Sequence, residues 1–300
     1  MAISLESRHE VAFPDFRNLS EQSSSSHPRE RGPLFFSTGN PDGKMAAASR
    51  PAAGSPFEIE TADDFVLTSP TSITSATFTG LMPTGAPTSN ITGVNVEIYQ
   101  VFPTLSNDVR TPNVPTRMNS PSDVELTDRS SATSGLTFNT TILQSTFTAL
   151  NSVQPGGIHP QPGQTTGGNG SVTGQEIQLT ATFMTALSLG AGHYFFVPQV
   201  ELSSGDFYWL SAPKPIVPPG TPFPTGFTDL QGWTRDANLD PDWLRIGTDI
   251  VGGSPAPTFN FAFTLSGDTV VPLPGALPLF ATGLAGLGLL GWRRKNRAQA

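Results

Sequence analysis

Carboxylates are the residues of this chain best suited to chemistry. Asp63 and Asp64 stand side by side at the head of an apolar run, and Asp236, Asp240, Asp242 and Asp249 gather late in the chain. Oxygen-rich loops of an exported β protein can hold Ca²⁺, which takes about six to eight oxygen ligands. No Asp-x-Asp-x-Asp-Gly loop is present, however, and Asp240-Pro241-Asp242 reads as well as turn chemistry, since Asp caps backbone N–H groups. No cofactor is expected; Ca²⁺ is the one ion this pattern admits. Two facing carboxylates would suit glycoside cleavage. Trp209, Trp233, Trp243 and Tyr208, near the late acidic stretch, would suit sugar stacking if exposed and core packing if not, the second being the commoner fate of such rings. Other catalytic signatures are missing: there is no cysteine, no Gly-x-Ser-x-Gly elbow and no His-Glu-x-x-His. Of four histidines, His9 and His27 lie in the first thirty-two residues and His159 sits in a Gly-rich loop, where it reads as solvated. His193, beside Tyr194 at a strand start, reads as a partly buried structural imidazole. The expectation is a protein that is not an enzyme. The Asn-x-Ser/Thr sites at Asn18, Asn90, Asn139 and Asn169 are what a Ser/Thr-rich chain produces by chance.

The elements that must position these groups are strands. Asp64–Thr68, Ile73–Gly80, Val94–Phe102, Leu136–Ile142 and Phe147–Leu150 each alternate apolar and polar residues at a period of two, as do Glu176–Met184, His193–Val200, Phe207–Leu210, Trp243–Gly247 and Thr258–Leu265. Thr on the off face suits half-exposed antiparallel strands. About ten such segments, with no internal repeat and no helical period outside the C-terminal region, predict a mainly β fold. The form expected is an antiparallel, jelly-roll-like β-sandwich over residues 34–266. Two long stretches interrupt it, a Gly-rich polar loop at 151–174 and a Pro-rich excursion at 211–242. Loops of that length in a compact domain are functional or mobile.

Composition agrees. Only 13% of the 300 residues are charged, while Gly (30) and Pro (29) are abundant, which suits many turns and not long helices. With no cysteine, stability must come from a core rather than from disulfides. The formal charge of −8 is unevenly spread: Pro33 to Trp292 holds eight basic and nineteen acidic residues. Such a body repels phosphate backbones and excludes nucleic acid as a partner. Residues 1–33 read as a disordered leader, Ser-, Glu- and Arg-rich, without the apolar stretch of a secretory signal.

The C-terminal thirty residues carry a different message. Gly275 to Trp292 contains no charged side chain, and at about 1.5 Å per residue it makes a helix of roughly 27 Å, enough for a thin hydrocarbon layer. Arg293, Arg294, Lys295 and Arg297 follow, a cluster that the positive-inside bias keeps in the cytoplasm. The expected plan is therefore a sandwich, a linker and motif at 267–274, one transmembrane helix at 275–292, and a basic tail at 293–300.

The order Val271-Pro272-Leu273-Pro274, apolar span and Arg/Lys tail closely resembles the PEP-CTERM sorting signal, with Leu273 where the common motif has Glu. The resemblance covers about a tenth of the chain. It implies an exosortase-type membrane enzyme as partner, anchoring in the inner membrane during sorting, processing near the Pro motif, and delivery to the cell surface or extracellular matrix in association with exopolysaccharide. An exported protein needs a leader, so either the true start lies upstream of Met1 or the chain is a relic that is never exported; the first is the expectation. The stretch Phe36-Ser-Thr-Gly-Asn-Pro-Asp-Gly43 with Ala62-Asp-Asp-Phe-Val-Leu67 is similar to other uncharacterised exported β domains bearing such tails. It brings no activity with it.

Overall fold

Wherever Thr or Ser alternates with Phe, Ile, Val or Leu, the chain gains one apolar face at the period of a pleated strand. The computed structural model describes residues 33–52, 57–108, 117–154, 158 and 165–269. The leader, the motif Val271, Pro272, Leu273 and Pro274, the span 275–292, and the basic group Arg293, Arg294, Lys295 and Arg297 lie outside the described residues, as do His9, His27, His159 and Asn18. Among the described residues no helix is long and apolar enough to cross a membrane.

The fold is mainly β. Its strands in chain order are β1 (Leu34–Ser37), β2 (Met45–Ala48), β3 (Ile59–Leu67), β4 (Thr71–Met82), β5 (Ile91–Gln100), β6 (Thr127–Ser130), β7 (Leu136–Ala149) and β8 (Asn151–Val153). They continue as β9 (Val172–Leu189), β10 (Gly192–Leu202), β11 (Tyr208–Ala212), β12 (Trp233–Asp236), β13 (Leu244–Arg245), β14 (Asn260–Phe261) and β15 (Phe263–Thr269). Nine of them form one sheet, with β1, β15, β4, β11, β2 and β8 in sequence. On its other edge β4 carries β9, which in turn carries β7, while β14 pairs with β11. The remaining six form a second sheet in the order β13, β12, β3, β10, β5, β6. Pairing is antiparallel except between β2 and β8, which run parallel.

An aromatic seam closes the space between the sheets. Phe196 of β10 lies flat on Phe263 of β15, with ring centres 4.9 Å apart and planes 10° from parallel. Phe78 and Trp209, from β4 and β11, meet the same Phe196 ring at 6.2 and 5.9 Å. Trp209 is fully buried and donates its indole N–H to Ala262 O at 2.9 Å, which removes the one polar cost of placing it there. Gly80 on β4 is a packing requirement, because a Cβ at that position would sit 2.3 Å from the Phe207 ring.

The structure departs from the sequence expectation in three places. The excursion at 211–242 is not a free loop: it contributes β12 to the edge of β3 and lays Leu230 over the outer face of the six-stranded sheet. Every residue of β3 is consequently buried on both faces, where half-exposure was expected. The segments Leu136–Ile142 and Phe147–Leu150 belong to one long strand, β7, whose two irregularities of register near Gln144 hide its continuity from a period-two reading. The last strand pairs as far as Thr269, so the boundary expected at 266 falls inside it.

Phe196 touches three rings of the opposite sheet, so Phe196→Ala should destabilise the fold by about 3–5 kcal/mol through lost transfer energy and an uncollapsed cavity. Urea denaturation followed by Trp fluorescence measures it; a loss below about 1 kcal/mol would show that the seam does not hold the sheets together.

Candidate functional site

The outer face of the six-stranded sheet bears a cleft of about 440 Å³, and seven of the eleven residues in its wall are Asp or Glu. Glu60 comes from β3, Glu97 and Tyr99 from β5, and Arg235 from β12; Glu58, Asp123, Glu125, Asp236 and Asp240 complete the rim. Register explains the convergence. Glu60 and Arg235 are direct partners across the β3–β12 ladder. Glu97 and Tyr99, two residues apart, point to one face of β5.

Arg235 is the centre. Its Nε donates to Glu60 Oε2, and its Nη2 donates to Glu60 Oε1 at 3.1 Å and to Tyr99 Oη at 3.0 Å. Its Nη1 donates to Asp123 O at 3.0 Å and Pro241 O at 3.2 Å and pairs with Asp240 Oδ1 at 2.9 Å. All three guanidinium nitrogens are thus engaged, and the guanidinium carbon lies 4.4 Å from the centre of the Trp243 ring. Burial works against the charged guanidinium, but Glu60 and its other neighbours outweigh that and hold the pKa of Arg235 above its ordinary value. Glu60 and Arg235 thus form a two-pronged ion pair.

Tyr99 links this pair to Glu97. Its hydroxyl lies 2.6 Å from Glu60 Oε1 and 3.0 Å from Glu97 Oε2. A phenol has one proton, and Glu60 has the shorter claim on it. Glu97 closes its contact with a proton of its own. Burial, reinforced by the charges of Glu60 and Glu58, pushes the Glu97 carboxyl up to about 9. Glu58 is also raised, mainly by burial, although Gln199 Nε2 donates to it at 2.8 Å. The cleft therefore sets Glu60, ion-paired with Arg235, beside Glu97, a carboxyl that burial favours as the neutral acid.

The residues singled out by sequence are distributed differently from the expectation. Trp209, Trp233 and Trp243 are all buried, so they are core and form no sugar platform; Tyr208 is half-buried. Trp243 Nε1 donates to Ser122 O at 3.1 Å. The late carboxylates do not converge. Asp236 Oδ1 accepts from the N–H groups of Asn238 and Leu239, both at 3.0 Å, as a turn cap. Asp242 lies 3.6 Å from the Arg117 guanidinium, and Asp249 forks with Arg245. Among the described residues no group of three or more His, Asp or Glu is arranged to hold a metal ion. Only Asp236 and Asp240 of that set reach the cleft.

Asp63 and Asp64 are buried on opposite faces of β3. Asp63 Oδ2 accepts from Phe261 N at 2.8 Å across the sandwich, while Asp64 Oδ2 accepts from Leu230 N at 3.2 Å and lies 2.5 Å from His193 Nε2. Burial pushes both carboxyls well above the usual carboxylate range, and it lowers the imidazole to about 4. Asp64 and His193 therefore meet as a neutral couple under Phe223 and Phe227.

The sequence reading missed Glu60, Glu97, Tyr99 and Arg235. The available signal was a single charge inside each of three otherwise apolar or Thr-rich segments, Ile59-Glu-Thr-Ala, Val96-Glu-Ile-Tyr and Trp233-Thr-Arg. No known protein-family model matches the chain, and neither does any curated protein or solved structure with which it was compared.

Glu97 supplies a pH prediction. Its folded value, about 9, lies above the ordinary 4.5, so the stability it contributes is complete below 4.5 and is lost as pH rises towards 9. Glu97→Gln, which keeps the neutral shape, should flatten that alkaline decline in a series of urea titrations. An unchanged slope would mean that Glu97 is ionised in the fold.

Proposed function

We propose that the chain is an exported, non-enzymatic protein of the cell surface or extracellular matrix. It is a jelly-roll-like β-sandwich, held in the inner membrane by the helix at 275–292 and processed by an exosortase-type enzyme. One observation carries this reading: Val271-Pro272-Leu273-Pro274, an uncharged apolar span, and Arg293, Arg294, Lys295 and Arg297 follow one another in that order. Proline lacks an N–H and disfavours helix on its N-terminal side, so Pro272 and Pro274 keep the motif extended at the membrane surface. The basic cluster stops the span from slipping outward. The acidic cleft fits a matrix setting, since its charge turns away polyanions and admits neutral or amino sugars of an exopolysaccharide.

A second reading is a glycan-binding or glycan-cleaving domain on the same anchor. Two carboxyl groups bridged by Tyr99, Glu60 and the raised Glu97, favour it, whereas the burial of Trp209, Trp233 and Trp243 weighs against a stacking platform.

Replacing Pro272 and Pro274 with Ala should leave the protein membrane-bound and uncut, and deleting Gly275–Ala300 should release it. Mass spectrometry of the mature C-terminus is the deciding measurement: an intact Asn296-Arg-Ala-Gln-Ala300 end on most surface-exposed protein excludes processing. Release of reducing sugar from purified exopolysaccharide, abolished in Glu97→Gln, would replace the non-enzymatic reading with the second one.

A further inference from the structure

Behind the Asp63–Asp64 pair, three side chains from three separate stretches close a ring. Lys214 Nζ donates to Asp229 Oδ1 at 2.6 Å and to Asn260 Oδ1 at 3.1 Å. Asn260 Nδ2 in turn donates to the other oxygen of the same carboxyl, Asp229 Oδ2, at 3.2 Å. The amine also reaches Asp229 O at 2.8 Å and Leu230 O at 2.6 Å, so its direction is fixed. Asn260 is 1% exposed, and the Lys214 and Asp229 side chains are 12% and 18% exposed. An amine, a carboxamide and a carboxyl that touches both are thus held together away from bulk water. We propose that Lys214 and Asn260 join in an intramolecular amide bond, with Asp229 as the proton relay.

The atoms for this step are all present. Asp229 takes a proton from the Lys214 ammonium, and the freed lone pair attacks Asn260 Cγ. The carbonyl electron pair moves to Oδ1 and returns as the Cγ–Nδ2 bond breaks. Of the three ammonium protons one stays on the new amide N–H, and two pass through Asp229 to the leaving nitrogen, which departs as ammonium. Asp229 ends as it began, and no oxidant, metal or cofactor enters. The amine and the carboxamide lie within hydrogen-bond distance, Nζ to Oδ1; keeping the two groups adjacent is the largest lever for such a reaction, and a carboxyl bonded to both supplies general acid–base help.

The rest of the cluster positions the reactants. Asp63 binds the backbone N–H of Phe261, the residue after Asn260, and Asp64 binds that of Leu230, the residue after Asp229. Each of the two adjacent aspartates thus pins one partner from β3. Asp63 Oδ1 and Asp64 Oδ1 have no hydrogen-bond partner, and both carboxyls are at most 1% exposed, which marks the space around the ring as poorly hydrated. The bond would tie the Pro-rich excursion to β14 in a chain that has no cysteine with which to do so. The proposal is independent of the sorting tail.

Mass spectrometry of the purified, folded full chain under denaturing conditions tests it. The expected result is the sequence mass less one ammonia, together with a branched proteolytic peptide joining the segments that hold Lys214 and Asn260. Lys214→Arg and Asp229→Asn should each restore the full mass and lower the thermal midpoint. Should either variant fail to fold, the branched peptide in the unaltered protein decides alone. A full mass in folded protein, a loss of ammonia without the branched peptide, or a loss of one water with the branch at Asp229 would overturn the assignment.

Discussion

Strand β3 carries three carboxyl groups through the middle of the protein, and none of them reaches bulk water. Glu60, Asp63 and Asp64 alternate between the two faces of a strand that is covered on both. A buried carboxylate must be paired, hydrogen-bonded or neutral, and the protein uses all three solutions. Glu60 is paired with Arg235, which forks onto it; Asp63 and Asp64 are driven towards their neutral forms while accepting backbone N–H groups. Strand β12 supplies Arg235, the excursion supplies the N–H of Leu230, and β14 of the other sheet supplies that of Phe261. The cover and the carboxyls therefore depend on each other: without the cover the acids would be hydrated, and without the acids the cover would lose its anchor points.

This dependence also explains why the cleft is acidic yet ordered. Arg235 is committed to Glu60, Tyr99 and three further oxygens, one of them the rim carboxylate of Asp240. Asp123, also on the rim, is paired with Arg117, so carboxyl groups outnumber the cations that hold them in place.

Much of the architecture is legible in the residues alone. The period-two segments at Ile73–Gly80, Val94–Phe102 and His193–Val200 correspond to β4, β5 and β10, because Thr, Val and Phe have a strong preference for a pleated surface. The site is far less legible. Arg235 and Glu60 are 175 residues apart, and no local pattern announces that pairing. Alternation also looks the same whether the off face meets water or another piece of chain, so double burial of β3 could not be read from it. The Pro-rich composition of the excursion masked β12, a strand of only four residues. The tryptophans were readable only as a preference: a core is the commoner fate of an indole, and Trp209, Trp233 and Trp243 are all buried, but residue type alone leaves a sugar platform open.

The first and last strands of the body are neighbours, and they run in opposite directions. Leu34 of β1 faces Ser266 of β15, and Gly267 N donates to Pro33 O at 3.1 Å. Chain attached at Pro33 and at Thr269 therefore leaves from the same corner of the sheet. A pull applied through both attachments would act across the ladder rather than along it, opening hydrogen bonds one after another like a zip instead of shearing them together. Freeing β1 in this way would first draw buried Phe36 away from the Phe65 and Phe263 rings. The same tension would then peel β15 from β4 inward from Thr269, past buried Leu265 to Phe263, so the ladder at that corner yields first and the cleft, on the far sheet, lies away from the load.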